Sequence, residues 1–196
     1  MNQDKRARLT VKGNYSAPMN GPGAPLNQTG RGFVFPYTPN ITTQSGVEYN
    51  QYATVHTNYQ QNAYSRTRTP SLQVTGQFVS QTEAEAKYTA GVMHFLRVVS
   101  KSDFGADETA GTPPPVLHFS AYGQFNRVPV LLTNFTFTFP DDQDYVEVEV
   151  PGQGTIHLPV IMTLAIDLVP QYNAQKQRQF SVSEFSTGNL YRSGFI

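Results

Sequence analysis

The side chains best suited to metal ligation or proton transfer are four histidines, His56, His94, His118 and His157. No two of them have the close spacing of a helical or finger-type ligand pair, and no carboxylate motif accompanies them. Three fall in predicted strands, where a hydrogen-bonded structural histidine is the expected role. The acids cluster once, at Asp141, Asp142 and Asp144, followed by Glu147 and Glu149. That run lacks the central glycine and terminal glutamate of an EF-hand loop, so a solvated hairpin turn with a charged strand face is expected rather than a cation site. There is no Gly-x-Ser-x-Gly elbow, and Gly21-Pro22-Gly23 and Gly152-Gln153-Gly154 match neither phosphate-loop fingerprint. With no cysteine there is no disulfide framework, thiol nucleophile or thiolate metal site. Separated acids could meet in space as a glycosidase pair, but nothing in their order supports it. Tyr59, Tyr64, Arg66 and Arg68 interleave rings and bases as single-strand binders do, although packing of the tyrosines is the simpler expectation. No enzyme, cofactor or metal is expected.

Composition points elsewhere. The 196 residues carry 14 bases and 14 acids, and charged residues make up only 14%, against roughly 25% in an average soluble domain. A basic duplex-binding module and an acidic disordered tail are both poor fits. Thirteen Phe and eleven Tyr stand beside fifteen Gly and fourteen Pro, with no Trp. Many strand-favouring rings among many turn residues predict a β-rich protein. Basic residues near the start have no apolar run behind them, unlike a secretory signal. The most apolar segment, Leu158 to Val169, contains Asp167 and is shorter than the roughly 20 residues of a membrane span. A soluble chain is expected.

The elements follow from pattern. Residues 1–32 carry Lys5, Arg6, Arg8, Lys12 and Arg31 against Asp4, with Pro18, Pro22 and Pro25 among glycines. They predict an extended basic arm, with Arg6, Arg8 and Lys12 as partner-contact candidates. Residues 33–170 predict the folded domain. Pro36 and Pro39 place Phe33 to Thr43 at a sheet edge. Val47 to Tyr64 reads as strands with wet faces, and Leu72, Val74, Gly76 and Phe78 alternate with Gln73, Thr75 and Gln77 in a half-buried strand. Thr82-Glu83-Ala84-Glu85 has the capping-box form. Behind it Ala84, Tyr88, Val92, Phe95, Leu96 and Val99 make one apolar stripe, predicting a helix over about 82–101.

Ser102 to Pro115 predicts a loop, and Val116 to Tyr122 a strand. In Val128 to Phe139, Phe135, Phe137 and Phe139 oppose Asn134, Thr136 and Thr138. Val146, Val148 and Val150 lead through Pro151-Gly152-Gln153-Gly154 into a returning strand, apolar at every even position from Ile156 to Leu168. So long a run predicts a tall sheet with a bend near Pro159. Residues 171–196 are a polar extension whose Phe180, Phe185, Tyr191 and Phe195 are spaced like anchors, on this domain or on a neighbour. Long strands, Gln/Asn/Thr-rich faces and few charges suit a subunit whose sheet continues into its neighbours.

Three ordered blocks carry a resemblance. The first is Phe35-Pro36-Tyr37-Thr38-Pro39 with Val55-His56-Thr57-Asn58-Tyr59-Gln60. The second is Gln77-Phe78-Val79-Ser80-Gln81-Thr82-Glu83-Ala84-Glu85, with Tyr88 and His94-Phe95-Leu96-Arg97. The third runs from Gly111-Thr112-Pro113-Pro114-Pro115-Val116-Leu117 through Tyr122-Gly123 to Asn126-Arg127-Val128-Pro129-Val130. Over about residues 33–170 the chain resembles baseplate tube proteins of contractile-tailed bacteriophages, of the tail-tube-initiator type. The resemblance implies a mainly β fold with one principal α-helix, an antiparallel β-sandwich or barrel of the tail-tube type. It implies a homohexameric ring in the virion baseplate, assembled in the host cytoplasm, through which DNA passes. The adjoining partners it implies are the baseplate hub, the tail tube and the sheath. Gln73, Thr75, Gln77, Asn134, Thr136 and Thr138 are the lumen-facing candidates. The alternatives are a bulk tail-tube subunit and a carbohydrate-binding β-sandwich module.

Overall fold

Alternation of apolar and polar residues becomes strand structure wherever a second strand is in reach. In the computed structural model, which describes residues 5–12, 15–103 and 111–196, that alternation builds a mainly β chain. Strands β1 (Arg8–Val11), β2 (Gly32–Val34), β3 (Asn40–Tyr52), β4 (Gln61–Val79), β5 (Leu117–Ala121), β6 (Phe125–Thr138) and β9 (Ile161–Pro170) form a seven-stranded antiparallel sheet, in the order β2-β1-β5-β6-β9-β4-β3. A separate hairpin, β7 (Tyr145–Val150) with β8 (Gly154–Pro159), is the second sheet. Among the described residues the sheet does not close on itself, since β2 and β3 are its two ends.

Helix α1 (Glu83–Val99) lies over one face. Its start is set by the expected capping box: Thr82 Oγ1 accepts from Glu85 N, and Glu85 Oε2 accepts from Gln81 N at 3.0 Å and Thr82 N at 3.1 Å. Those amides hold the Glu85 carboxyl below its usual range. The buried stripe includes Ala86, Thr89, Val92, Phe95, Leu96 and Val99, whereas Ala84 is exposed and Tyr88 half-buried. Under the helix, Phe33 meets Phe35, Phe78 and Phe95 with ring centroids 5.3, 6.2 and 5.6 Å away. Gly76 makes room for them, because a Cβ there would come within 2.6 Å of Phe35 Cδ1. Ser80 and Thr89, both buried, satisfy each other by an Oγ–Oγ hydrogen bond of 2.9 Å.

Three expectations are corrected. Residues 5–12 and 15–32 are not an extended arm. Strand β1 sits inside the sheet between β2 and β5, with Ala7, Leu9 and Val11 buried. The prolines that exclude a regular helix are taken up in 3-10 turns at Ala17–Met19 and Gly21–Thr29, which bury Met19 and Leu26 beside α1. The long even-position run is two strands, not one. It bends at Val160, so that β8 pairs with β7 while β9 joins the main sheet. His56 is not in a strand but in the turn between β3 and β4, at a left-handed φ of 66°. Part of the predicted loop, residues 104–110, lies outside the described residues.

The tail docks on its own domain. After Pro170 come the short helices α2 (Ala174–Arg178) and α3 (Val182–Ser186), then a 3-10 turn. Phe195 stacks on Tyr172 at 5.0 Å and touches Phe180, which leads through Phe185 to Tyr191 in a continuous run of rings. Lys176 Nζ stands 5.4 Å from the Tyr172 ring and 5.3 Å from Phe195. Asn126 Nδ2 donates to Arg192 O at 2.9 Å and ties the tail to the start of β6.

One side chain closes a sheet edge. The outward N–H of Val34 donates to Tyr88 Oη at 2.7 Å, and that hydroxyl donates to Val34 O at 2.9 Å. A helix thus occupies the backbone groups that a further strand on β2 would use. Tyr88→Phe is expected to leave both groups unpaired at a buried residue, lowering stability by about 1–3 kcal/mol in denaturant unfolding. A loss below a few tenths would mean that the edge is protected by something else.

Candidate assembly surface

With β2 capped, the sheet offers pairing at two other places. Among the described residues, strand β3 has no outer neighbour along Asn40–Tyr52. Strand β6 pairs with β5 only as far as Val130, so its distal part, Leu131 to Thr138, has a partner on the β9 side alone among the described residues. Distal β6, β9, β4 and β3 therefore form a four-stranded unit with an open edge on each side. The strand number is even and every pairing antiparallel, so the two edges run in opposite directions.

The two faces of this unit differ. One carries Leu72, Val74, Phe78, Leu164 and Ile166, all buried. On the other, cross-strand register aligns residues in rows. Asn134, Asp167, Gln73 and Thr42 make one row, and Thr136, Ala165, Thr75 and Asn40 the next. Thr138, Thr163 and Gln77 make a third. All six residues predicted from alternation are thus on one polar face, and the structure adds Thr163, Ala165 and Asp167 between them. Asp167 is the one ionisable group in these rows, and Asn134 Nδ2 donates to its Oδ2 at 3.2 Å.

A β-bulge allows β6 to serve both parts of the molecule. Val128, Val130 and Leu132 face the core at even positions, but Phe135 and Phe137 do so at odd ones. Thr133 is the extra residue, and its Oγ1 donates to Asp167 O at 3.0 Å. The switch of apolar parity between Leu132 and Phe135 was the sequence signal for it.

Beyond the polar face, β3 and β4 continue as a two-stranded hairpin that, among the described residues, has no third strand and no core. Tyr49, Tyr52 and Tyr64 are more than half exposed, and at its end Val55 and Tyr59 reach 83% and 87%. The Tyr49 and Tyr64 rings meet edge-on at 6.2 Å, and Arg66 Nε donates to Glu48 Oε2 at 2.7 Å. Glu48 is thereby held below its usual range, and Arg68 lies 3.8 Å from the same oxygen. The bases that could have served a nucleic-acid strand are therefore turned toward an acid.

The remaining candidates are scattered. Arg6 and Arg8 line a groove with Lys5 and Arg192. Lys12 borders a separate hollow with His118 and Lys176. Phe180 and Tyr191 are nearly half exposed, Phe185 is half-buried, and Phe195 is buried as an internal anchor. Burial lowers the His94 and His118 pKa values, with Arg97 beside the first and Arg127, Lys12 and Lys176 beside the second. No three His, Asp or Glu side chains among the described residues approach closely enough to hold a metal ion, and no described helix is long and apolar enough to cross a membrane. No protein-family model and no curated protein matches the chain.

Proposed function

We propose that this chain is a structural subunit of a contractile phage tail, forming a six-fold tube-like ring in the baseplate that nucleates or connects the tail tube around the DNA channel. The observation that carries the reading is the four-stranded unit with two open, oppositely directed edges. The β3 edge of one copy can receive the distal β6 edge of the next as an antiparallel pair, and the operation repeats without reversing. Such a contact is heterologous, and it closes into a ring when the rotation per copy divides a full turn. Closure removes the exposed edges that a lone subunit leaves unpaired. Six copies supply four strands each, more than the 16–18 that already leave an aqueous channel in porins. The apolar face points outward into each subunit's own core and helix, and the polar rows line the lumen. A wall of amides, hydroxyls and one carboxylate per copy offers DNA no cation to grip. The chain has no catalytic part in this reading. Its work is templating, with one face on the baseplate hub and the other presenting matched edges to the tube, and the sheath outside.

The test is the mass of the purified chain in solution by sedimentation velocity. Six copies of a 21.8 kDa chain make a particle of about 131 kDa. A particle of that mass with a central hole in negative stain is expected, and a strict monomer at tens of micromolar would end the proposal. The copy number per virion then separates one ring from the bulk tube subunit.

A further inference from the structure

Three basic side chains from distant parts of the chain meet at one hollow. In β1 and β5, Leu9, Val11, Leu117 and Phe119 are buried in the core, so Lys12 and His118 alternate onto the opposite face of the sheet. The tail reaches that face: Gln171 N donates to Pro129 O at 2.9 Å, and α2 brings Lys176 beside His118. Lys12, His118 and Lys176 then line a hollow of about 620 Å³. Among the described residues no acidic side chain lines it. Lys176 Nζ rests over the Tyr172 and Phe195 rings, which hold it in place. Asn173 Oδ1 accepts from Lys176 N at 2.8 Å, so its amide nitrogen is the group left to donate at the rim. Burial lowers the Lys176 pKa, and burial followed by Arg127, Lys12 and Lys176 lowers that of His118. Both directions fit basic groups gathered without an opposing charge.

We propose that this hollow binds a small phosphate monoester, with its phosphate between Lys12 and Lys176 and its organic part against Pro115, Val116 and Pro129. Two ammonium point charges match the double negative charge of such a phosphate. They lack the planar fork with which arginine grips a carboxylate, so phosphate is the better fit. His118 donates a ring N–H while neutral and adds a third positive charge once protonated. The prolines and valine give an apolar wall, and the volume falls in the range of small-molecule sites, roughly 300–1,000 Å³. The lining belongs to one subunit and includes nothing from β3 or from distal β6. The site therefore stands apart from the ring reading.

Isothermal titration calorimetry of the full chain at low ionic strength tests it. Phenyl phosphate is expected to bind with a dissociation constant below about 1 mM, at least about tenfold more tightly than inorganic phosphate or benzoate. Lys12→Gln and Lys176→Gln should each weaken it by at least about fivefold, while Lys101→Gln, exposed and outside the hollow, leaves it unchanged. Lys12 does not touch the tail rings, so Lys12→Gln keeps the test valid even where Lys176→Gln loosens the tail. Inorganic sulfate keeps its charge below neutral pH, and its binding should strengthen as pH falls below about 6.5, where His118 takes up a proton with the anion. Lys12, Lys176 and Arg127, the charged groups around that ring, stay ionised throughout, so His118→Gln should abolish the rise. No binding of phenyl phosphate at about 10 mM, binding that ignores both lysine changes, or inorganic phosphate or benzoate bound as tightly would each overturn the proposal. So would displacement of phenyl phosphate by a thymidine oligonucleotide lacking a terminal phosphate, since the hollow would then hold a nucleic-acid backbone. Six-copy particles that never bind phenyl phosphate would leave the ring standing and remove this inference. Binding by a strict monomer would do the reverse.

Discussion

Excising residues 47–67 and joining Gly46 to Arg68 through an Asn-Gly turn is expected to abolish ring formation while leaving the subunit folded. The excised segment is the outer part of β3 and β4, exposed almost throughout and outside the hydrophobic core. A lone two-stranded hairpin is at best marginally stable in water, yet this one carries Tyr49, Tyr52, Val55, Tyr59 and Tyr64 into solvent. Rings so placed are at home in an interface, where tyrosine is among the residues that dominate binding. Two such anchors lost at about 2 kcal/mol each would weaken each subunit contact by about a thousandfold. The inner pairs Asn40–Thr75 to Gln44–Ser71 remain, so the melting temperature should move by no more than about 4 °C. Six-copy particles from the shortened chain at the parent's concentration threshold would show that the hairpin plays no part in closure.

The features that were legible in the sequence are those set by near neighbours in the chain. The capping box at Thr82 and Glu85 lies within four residues. The alternation of Gln73, Thr75 and Gln77 against Leu72, Val74 and Phe78 is a period-two signal that needs only a sheet to act on. That Asn134, Thr136 and Thr138 join the same face follows from both strands flanking β9 with their apolar residues inward. The hidden features depend on remote partners. Arg8-Leu9-Thr10-Val11 alternates, but four residues among charges and prolines carry no weight until β2 and β5 flank them. The sheet switch at Val160 leaves the even-position rhythm intact, because β8 and β9 both bury their even residues against one core. The capped β2 edge is a hydroxyl reaching across 54 positions, from Tyr88 to Val34. Apolar pattern gives no sign of it, since tyrosine in the helix stripe reads as packing.

Thr75→Lys/Thr136→Lys is expected to leave the ring intact and to stop DNA from passing through it. These residues flank Ala165 from either side in one row of the polar face, with Cβ atoms roughly 5 Å from that of Ala165. Lysines at Gln73 or Asn134 would instead lie opposite Asp167 and be partly neutralised. Both threonines point away from the core, and a lysine stem can extend from an open face, so subunit stability should change by no more than about 1 kcal/mol. Two cations per subunit, repeated around six copies, would form a basic collar in the channel. Each phosphate neutralised there releases a counterion and holds the polymer more tightly, an effect that salt reverses. Virions carrying the double substitution should lose at least about a hundredfold in titre. Their triggered DNA release should be slow at low ionic strength and recover as salt rises, while Thr75→Ser/Thr136→Ser behaves as the parent. Normal release at low salt from assembled lysine virions would mean that this face does not line the channel. The carboxylate at Asp167 and the hydroxyls around it would then face another protein.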